Sequence, residues 1–352
     1  MRGWHLIPAV LIAALVVALP VAALTDTGLE HELREALGLS TGECEPMTNL
    51  SSEWSEGASL PYDLDEPRGA TVDGEIYLVG GITDLEQGAR GRLLLEPSNE
   101  LTRFDPRTET FAALAPLPRR LSHVSVVSHG HELFVLGGYG RTLDANTSKA
   151  FYHYSPGRNR WSRMPDMPAP RAAMAVGVIG DRLILAGGAR DNMPLADAFS
   201  FDFRSRRWTR LPDMPSRREH VGAAVVGDRL YVLGGRTPST FATDIAESYD
   251  ASEREWTPLP PMPTGSGGLG VVSAGGAVIA VGGGNDEAGT VTGAVQKWDP
   301  QARRWSLLSA MRTPRHGQAA APAAGRVWVF GGSPCAYFNA TDSVESLDLG
   351  AG

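Results

Sequence analysis

Histidines recur at matched places in this 352-residue chain, each a fixed distance before a pair of adjacent glycines. His123 and His220 both lie 14 residues before such a pair, and His316 lies 15 residues before one. A histidine whose pKa is near neutrality can transfer protons when a carboxylate faces it across a narrow channel. The three histidines are therefore candidates for chemistry, with a hydrogen-bonded structural histidine as the alternative at each position.

Arginines form two sets around the same glycine pairs. The first set precedes the strand that leads to each pair and contains Arg68, Arg120, Arg171, Arg218 and Arg315. The second set follows a glycine pair and contains Arg141, Arg190 and Arg236. Guanidinium groups bind carboxylates and sulfates through paired hydrogen bonds, whereas exposed arginine ion pairs contribute only about 0–1 kcal/mol to stability. The clustering therefore predicts an anion-binding site, and the alternative for the first set is a packing role within each repeat.

The residues after the glycine pairs differ from one repeat to the next, which favours them as ligand-binding residues. Asp191 and Asn192 follow Arg190 in this way. The fifth repeat carries Gly265–Gly268 where the others carry arginine or histidine. This glycine run predicts an opening on one side of the site.

The elements that must position these residues are six repeats of an apolar strand ending in two glycines. The glycine pairs begin at Gly80, Gly137, Gly187, Gly234, Gly282 and Gly331. Their period is 47 to 50 residues, apart from one step of 57, and a period of this length is typical of repeat architectures. Each repeat is interpreted as four antiparallel strands, A to D. Because strands B and D then run in the same direction, the segments after the glycine pairs and the segments leading into strand A are expected on one face.

Aromatic residues recur inside the repeats and are interpreted as core. Strand C carries Phe104, Tyr154, Phe201, Tyr249 and Trp298, and strand D carries Phe111, Trp161, Trp208, Trp256 and Trp305. Together with the double glycines, aromatic–Asp pairs such as Tyr249-Asp250 and the Met214-Pro215 type of pair, these residues resemble the kelch repeat family over about residues 50–350. The resemblance implies an all-β fold, a six-bladed β-propeller with four-stranded blades. It implies little about function, because kelch propellers include binding scaffolds and enzymes.

The ends of the chain predict how the ring closes. The sixth repeat ends after its strand C, whereas Trp54 stands before the first strand A without a blade of its own. The segment from Trp54 to Leu60 is therefore predicted to complete the last blade, which removes exposed sheet edges. Cys44 precedes this segment and Cys335 lies in the blade that it completes, so the two are predicted to form a disulfide, with two free thiols as the alternative.

The N-terminal segment predicts export. Residues 1–23 read as a signal peptide, because Arg2 precedes an apolar run that ends in small residues. An uncleaved anchor is the alternative, and only then would the protein be attached to a membrane. Residues 24–49 are expected to be a linker with a short helix, and residues 50–350 the propeller. The protein is expected to be secreted or periplasmic and monomeric.

The leading functional hypothesis is a binding protein for an anionic partner, either an acidic peptide or an acidic carbohydrate. Its candidate ligand-binding residues are Arg120, His123, Arg141, Arg171, Arg190, Asp191, Arg218, His220, Arg236, Arg315 and His316. The net charge of −8 argues against nucleic-acid binding, and no metal or cofactor is predicted, since no His and Cys spacing matches a zinc site.

Two alternatives remain. Exported six-bladed kelch proteins include sialic acid epimerases, so the resemblance also allows a sugar epimerase or mutarotase. Glu219, Arg218 and His220 are its catalytic candidates by position alone. The last alternative is a structural interaction module without a small ligand. A copper oxidase of the galactose oxidase type is disfavoured, because the cysteines are assigned to the disulfide.

Overall fold

The structure is a computed structural model that describes residues 53–87, 93–140, 147–191, 193–336 and 338–350. The strands of these residues form six four-stranded antiparallel sheets and three two-stranded hairpins. Signal peptide and linker, residues 1–23 and 24–49, lie outside the described residues, and both stay predictions. Among the residues that are described, no helix combines the length and apolar character needed to cross a bilayer.

The first three blades follow one another along the chain after strand β1 (Trp54–Glu56). Blade 1 contains β2 (Arg68–Val72), β3 (Glu75–Val79), β6 (Leu101–Asp105) and β7 (Thr110–Ala113), with the hairpin β4 (Ile82–Gln87) and β5 (Leu93–Pro97) inserted after β3. Blade 2 contains β8 (Ser125–His129), β9 (Glu132–Leu136), β10 (Phe151–Ser155) and β11 (Arg160–Arg163), with a 3-10 helix at Pro156–Arg158. Blade 3 contains β12 (Ala175–Ile179), β13 (Arg182–Ala186), β16 (Ala198–Asp202) and β17 (Arg207–Leu211), with the hairpin β14 (Ala189–Arg190) and β15 (Met193–Pro194) inserted after β13.

The other three blades repeat the same order. Blade 4 contains β18 (Gly222–Val226), β19 (Arg229–Leu233), β20 (Ala246–Asp250) and β21 (Glu255–Pro258). Blade 5 contains β22 (Gly270–Ala274), β23 (Ala277–Val281), β26 (Val295–Asp299) and β27 (Arg304–Leu308), with the hairpin β24 (Gly284–Asn285) and β25 (Thr290–Val291) inserted after β23. Blade 6 contains β28 (Ala319–Ala323), β29 (Arg326–Phe330), β30 (Val344–Asp348) and β1.

The first strands of the six blades form a closed inner circle. Each of β2, β8, β12, β18, β22 and β28 contacts the next, and β28 returns to β2. The sequence-based prediction of an all-β, six-bladed propeller with four-stranded blades is confirmed. Gly180-Asp181 forms a two-residue hairpin turn between β12 and β13, because Ile179 pairs directly with Arg182 and Gly180 has a φ of 55°.

The N-terminal strand closes the ring, as predicted. Trp54 pairs with Leu347 in antiparallel register, and its indole nitrogen donates a hydrogen bond to the Ser309 carbonyl of the preceding blade at 2.8 Å. Trp54 is buried. The observed strand is shorter than the predicted segment, since it ends at Glu56, although Leu60 is also buried. Strand β1 thus covers the outer edge of β30 and gives the last blade its fourth strand.

The predicted aromatic core and the glycine pairs both serve the scaffold. Phe104, Tyr154 and Phe201 are fully buried. At the second glycine of each pair the backbone N–H donates to a carbonyl of the next blade, for example from Gly138 to Arg171 at 3.0 Å. A Cβ on the neighbouring Gly137 would lie 2.3 Å from that same Arg171 oxygen, so this close approach requires glycine.

Candidate functional site

The segments that lead into the inner strands meet the segments that follow the glycine pairs on one face of the ring. Each blade contributes one such contact, an antiparallel bridge outside the main strands. The bridged pairs are Asp65 with Ile82, Ser122 with Tyr139, Ala172 with Ala189, Glu219 with Arg236, Gly267 with Gly284, and His316 with Ser333. The expectation that both kinds of segment share one face is therefore confirmed.

In each bridged pair, the residue that follows the first-named partner lies near the central axis of the propeller on this face. We call these six residues the inner ring. The inner ring consists of Glu66, His123, Ala173, His220, Gly268 and Gly317. All six have a positive φ, from 49° at His220 to 69° at Gly317. Backbone hydrogen bonds join neighbouring members, from Ala173 N–H to His123 O at 2.9 Å and from Gly317 N–H to Gly268 O at 2.8 Å. The ring therefore brings residues from all six blades together, although they are far apart in sequence.

Three members of the inner ring form a buried cluster. Glu66, His123 and His220 have potential ligand atoms that all lie within 4.8 Å of one another. The Nε2 atom of His123 is 3.8 Å from Oε1 of Glu66, and the two imidazole centroids are 4.8 Å apart. His220, the most exposed of the three, is only 6% exposed.

Each of the two histidines is oriented by the residue that precedes it. Nδ1 of His123 is 3.0 Å from the Ser122 hydroxyl oxygen. Nδ1 of His220 contacts the Glu219 carboxylate in a hydrogen bond. Since a carboxylate accepts, Nδ1 donates this bond and Nε2 takes no part in it.

Burial and neighbouring charges set the ionisation of the cluster. Burial lowers the pKa of His123 to about 3, so its imidazole is neutral at pH 7. Burial opposes ionisation of Glu66, but the attraction of His123 and of the Arg68 guanidinium outweighs it and holds the Glu66 pKa well below its usual range. Burial likewise opposes ionisation of Glu219, and the His220 side chain overcomes it and lowers the Glu219 pKa. At pH 7 the cluster thus contains an ionised Glu66 beside a neutral His123 imidazole.

Two further groups border the cluster. Burial raises the pKa of Asp65 to about 6, against the opposing attraction of His316. Neither ring nitrogen of His316 has a hydrogen-bond partner within the described part of the chain. The predicted candidate His316 is therefore buried beside Asp65, next to the cluster.

Arg236 lies on the same face, at the bridge to Glu219. Its side chain is 17% exposed, and its Nη2 atom is 2.7 Å from Asp286 of the next blade. Its guanidinium also lies 5.9 Å from the ring centroid of Phe241, which is 48% exposed. Arg236 Cγ is 3.0 Å from the place of a Cβ on Gly267, so this arginine lies against one residue of the Gly265–Gly268 run. The opening predicted at this run stays a prediction.

Three of the predicted arginines are buried inside their own blades. Each guanidinium pairs with a carboxylate at or beside the third strand of its blade. The pairs are Arg171 with Asp197 at 2.8 Å, Arg218 with Glu247 at 2.8 Å, and Arg315 with Glu345 at 2.9 Å. All three arginines are 0% exposed, which matches the packing alternative. A ligand-binding role for them, and a catalytic role for Arg218, stay predictions.

The other predicted residues are divided between the surface and the undescribed part of the chain. Arg120, Arg190 and Asp191 are exposed. Arg120 donates one hydrogen bond, to the Pro97 carbonyl at 3.3 Å. Arg141, Asn192 and Cys44 lie outside the described residues, so the Cys44–Cys335 disulfide stays a prediction.

Sequence reasoning missed the carboxylate at the centre of the cluster. Glu66 lies 14 residues before Gly80, the same distance that selected His123 and His220. The repeat spacing therefore also points to Glu66, but only histidines and arginines were considered at this position of the repeat. Asp65, which precedes Glu66, and Tyr139, whose ring centroid is 5.3 Å from that of His123, were also missed.

Comparison with known proteins places the chain among kelch proteins. The KLHDC2/KLHL20/DRC7 Kelch-repeats domain matches residues 67–267 and 122–332. Kelch-like protein terF of Aspergillus terreus is 27% identical over 168 residues, which cover 45% of this chain and 35% of terF. An N-acetylneuraminate epimerase of Haemophilus influenzae is 26% identical over 172 residues, which cover 39% of this chain and 44% of the epimerase. The chain thus matches less than half of the length of either relative.

A solved structure shares the fold. The structure of YjhT superposes with a TM-score of 0.66 at 16% identity, covering 83% of this chain and 99% of YjhT. At that identity the likeness concerns the fold alone. The repeat spacing, the six blades and the match of the kelch-repeat domain over most of the described residues agree with one another. The chain belongs to the kelch-repeat family.

Proposed function

We propose that this protein is an exported kelch propeller that binds an anionic partner at the face of the inner ring. The partner carries a carboxylate, as an acidic peptide or an acidic carbohydrate does. The observation that carries the proposal is the position of Arg236, a partly exposed guanidinium beside the inner ring. Kelch propellers generally mediate protein binding, and this supports a peptide as the first partner to test.

Arg236 keeps hydrogen-bonding capacity that its present contacts do not use. Its Nη2 atom contacts Asp286, whereas its buried Nε atom has no hydrogen-bond partner among the described residues. A guanidinium carries five N–H donors in a planar fork, which suits two carboxylates at once. A ligand carboxylate can therefore join Asp286 or replace it.

Apolar side chains lie near the exposed arginines of this face. Phe241 stands beside Arg236, and Met193, which is 59% exposed, pairs in β-structure with Arg190. Aromatic residues, methionine and arginine are the residue types enriched at protein interfaces. An acidic segment with adjacent apolar residues matches this combination of charge and surface.

The test replaces Arg190 and Arg236 by glutamate and measures binding to acidic peptides and acidic sugars by calorimetry. Arg190→Glu combined with Arg236→Glu is expected to weaken binding at least tenfold, through charge repulsion. Arg204→Glu is the matched control, because Arg204 is an exposed arginine in the turn after β16, away from the inner ring. Unchanged binding by the double variant would reject this face as the binding site.

A sugar epimerase is the second candidate, and one specific contact favours it. The Glu219 carboxylate is ionised beside His220, so the pair could accept and return a proton. One relative is named as an N-acetylneuraminate epimerase. NMR of sialic acid anomer exchange, with wild type and with Glu219→Gln, tests this candidate. Equal exchange with and without the wild-type protein would remove it.

A further inference from the structure

We propose that Glu66, His123 and His220 bind one divalent transition-metal ion of the Zn²⁺ class at the centre of the inner ring. This metal site is distinct from the proposed anion-binding site, since it uses none of the arginines on which the anion-binding proposal depends. Either proposal can fail without the other.

The ligand set suits such an ion. Two imidazoles and one carboxylate are a common ligand set for zinc and for other divalent transition metals. The three ligand atoms come from blades 1, 2 and 4 and lie within 4.8 Å of one another. At metal–ligand distances of about 2.1 Å, ligand atoms stand about 3.4 Å apart in a tetrahedral site. The 3.8 Å between His123 Nε2 and Glu66 Oε1 is close to this value, and no pair of ligand atoms is more than 4.8 Å apart.

The groups that contact the two histidines from behind resemble those found at metal-binding histidines. Such a histidine binds the ion through one ring nitrogen and contacts a carboxylate, carbonyl or water through the other. Here Glu219 accepts from Nδ1 of His220, and Ser122 contacts Nδ1 of His123. Both Nε2 atoms are thereby left for the ion.

Charge and space at the cluster are compatible with a cation. Arg68 pairs with Oε2 of Glu66 at 3.0 Å, which leaves Oε1 facing His123. Gly317 provides room, because a Cβ there would lie 3.0 Å from Oε1 of Glu66. The carboxylates of Glu219 and Asp65 add negative charge, against the guanidinium groups of Arg68 and Arg236. Arg68, which pairs with Glu66, also lines the channel between the inner strands.

The experiment uses the full chain, stripped with a chelator and then titrated with Co²⁺ and Zn²⁺. Visible absorption of bound Co²⁺ and calorimetry of Zn²⁺ binding are expected to give one ion per chain. Glu66→Gln, His123→Gln and His220→Gln are each expected to abolish binding at this stoichiometry. Glu219→Gln, which only orients His220, is expected to weaken binding by about 10–100-fold.

The matched control is His153→Gln. His153 pairs with Glu132 at 2.9 Å in blade 2 but lies outside the cluster, so its loss is expected to leave binding unchanged. Absence of binding by wild type, or equal binding by wild type and the three ligand variants, would overturn the proposal. If a ligand variant fails to fold, as judged by circular dichroism, anomalous diffraction from a wild-type crystal soaked in Zn²⁺ decides the question. A peak between Glu66, His123 and His220 supports the proposal, and a peak only elsewhere overturns it.

Discussion

Two arginines of blade 4 occupy opposite kinds of environment. Arg218 is fully buried and bonds to the Gly234 and Ile245 carbonyls and to the Glu247 carboxylate. Arg236 is partly exposed and reaches across to Asp286 of blade 5. Arg218 has counterparts in blades 3 and 6, whereas no other blade has an equivalent of the Arg236 contact among the described residues. The comparison indicates that a repeated charge serves its own blade, and that a charge occurring once faces the shared end of the ring.

The largest effect is expected for Arg218→Met, which leaves the Glu247 carboxylate buried without its partner. We expect the free energy of unfolding to fall by about 3–5 kcal/mol, measured by urea denaturation. The double variant Arg218→Met with Glu247→Leu should recover most of the loss, because it removes the unpaired charge. A loss below about 1 kcal/mol for the single variant would contradict a scaffold role for Arg218.

The next largest effect is the pH dependence of the free energy of unfolding that His123 of the inner ring causes. Burial lowers the pKa of His123 from 6.5 to about 3, so the folded protein favours neutral imidazole and the unfolded chain binds the proton. The stability that His123 contributes is present above pH 6.5 and is lost as the pH falls from 6.5 towards 3. The loss is at most about 1.4 kcal/mol per pH unit. Denaturation of the chelated protein at several pH values should give a shallower slope for His123→Gln. Parallel slopes for wild type and variant would contradict it.

Substitutions at the uncharged members of the inner ring should have smaller and opposite effects. Gly317→Ala places a Cβ 2.4 Å from the Asp65 carboxylate at a φ of 69°, so we expect a loss above about 1 kcal/mol. Ala173→Gly relieves a φ of 52° and should change stability by about 1 kcal/mol or less, in the stabilising direction. Thermal unfolding of both variants checks this. If the loss for Gly317→Ala were no larger than the gain for Ala173→Gly, backbone strain alone would explain both changes, and the close contact at Gly317 would contribute nothing.

The smallest effect on stability is expected for Arg236→Gln, which is to be compared with Arg218→Met. Its ion pair with Asp286 is partly exposed, so we expect a loss of about 0.5 kcal/mol or less. Binding of an acidic peptide should nevertheless weaken, which calorimetry would detect. A loss in stability as large as that of Arg218→Met would remove the distinction between the two arginines.

The fold was predictable because its signals are local and repeated. The spacing of the glycine pairs, the strand aromatics and the unpaired Trp54 each follow from backbone geometry or burial within one blade. The site was predictable only in part. Sequence reasoning identified His123 and His220 but overlooked Glu66. For Arg171, Arg218 and Arg315, complete burial agrees with the alternative interpretation, a packing role within the blade.

The number of blades, the order of strands and the face on which variable residues gather follow from the sequence, because periodicity and strand direction settle them. Which of those residues meet depends on how the six blades pack around one axis. The side chains of Glu66, His123 and His220 come together because ring closure brings blades 1, 2 and 4 to a common axis. Arg171, Arg218 and Arg315 are buried against a carboxylate of their own blade, whereas Arg236 pairs with Asp286 of the next blade, and these contacts exist only once the chain has folded.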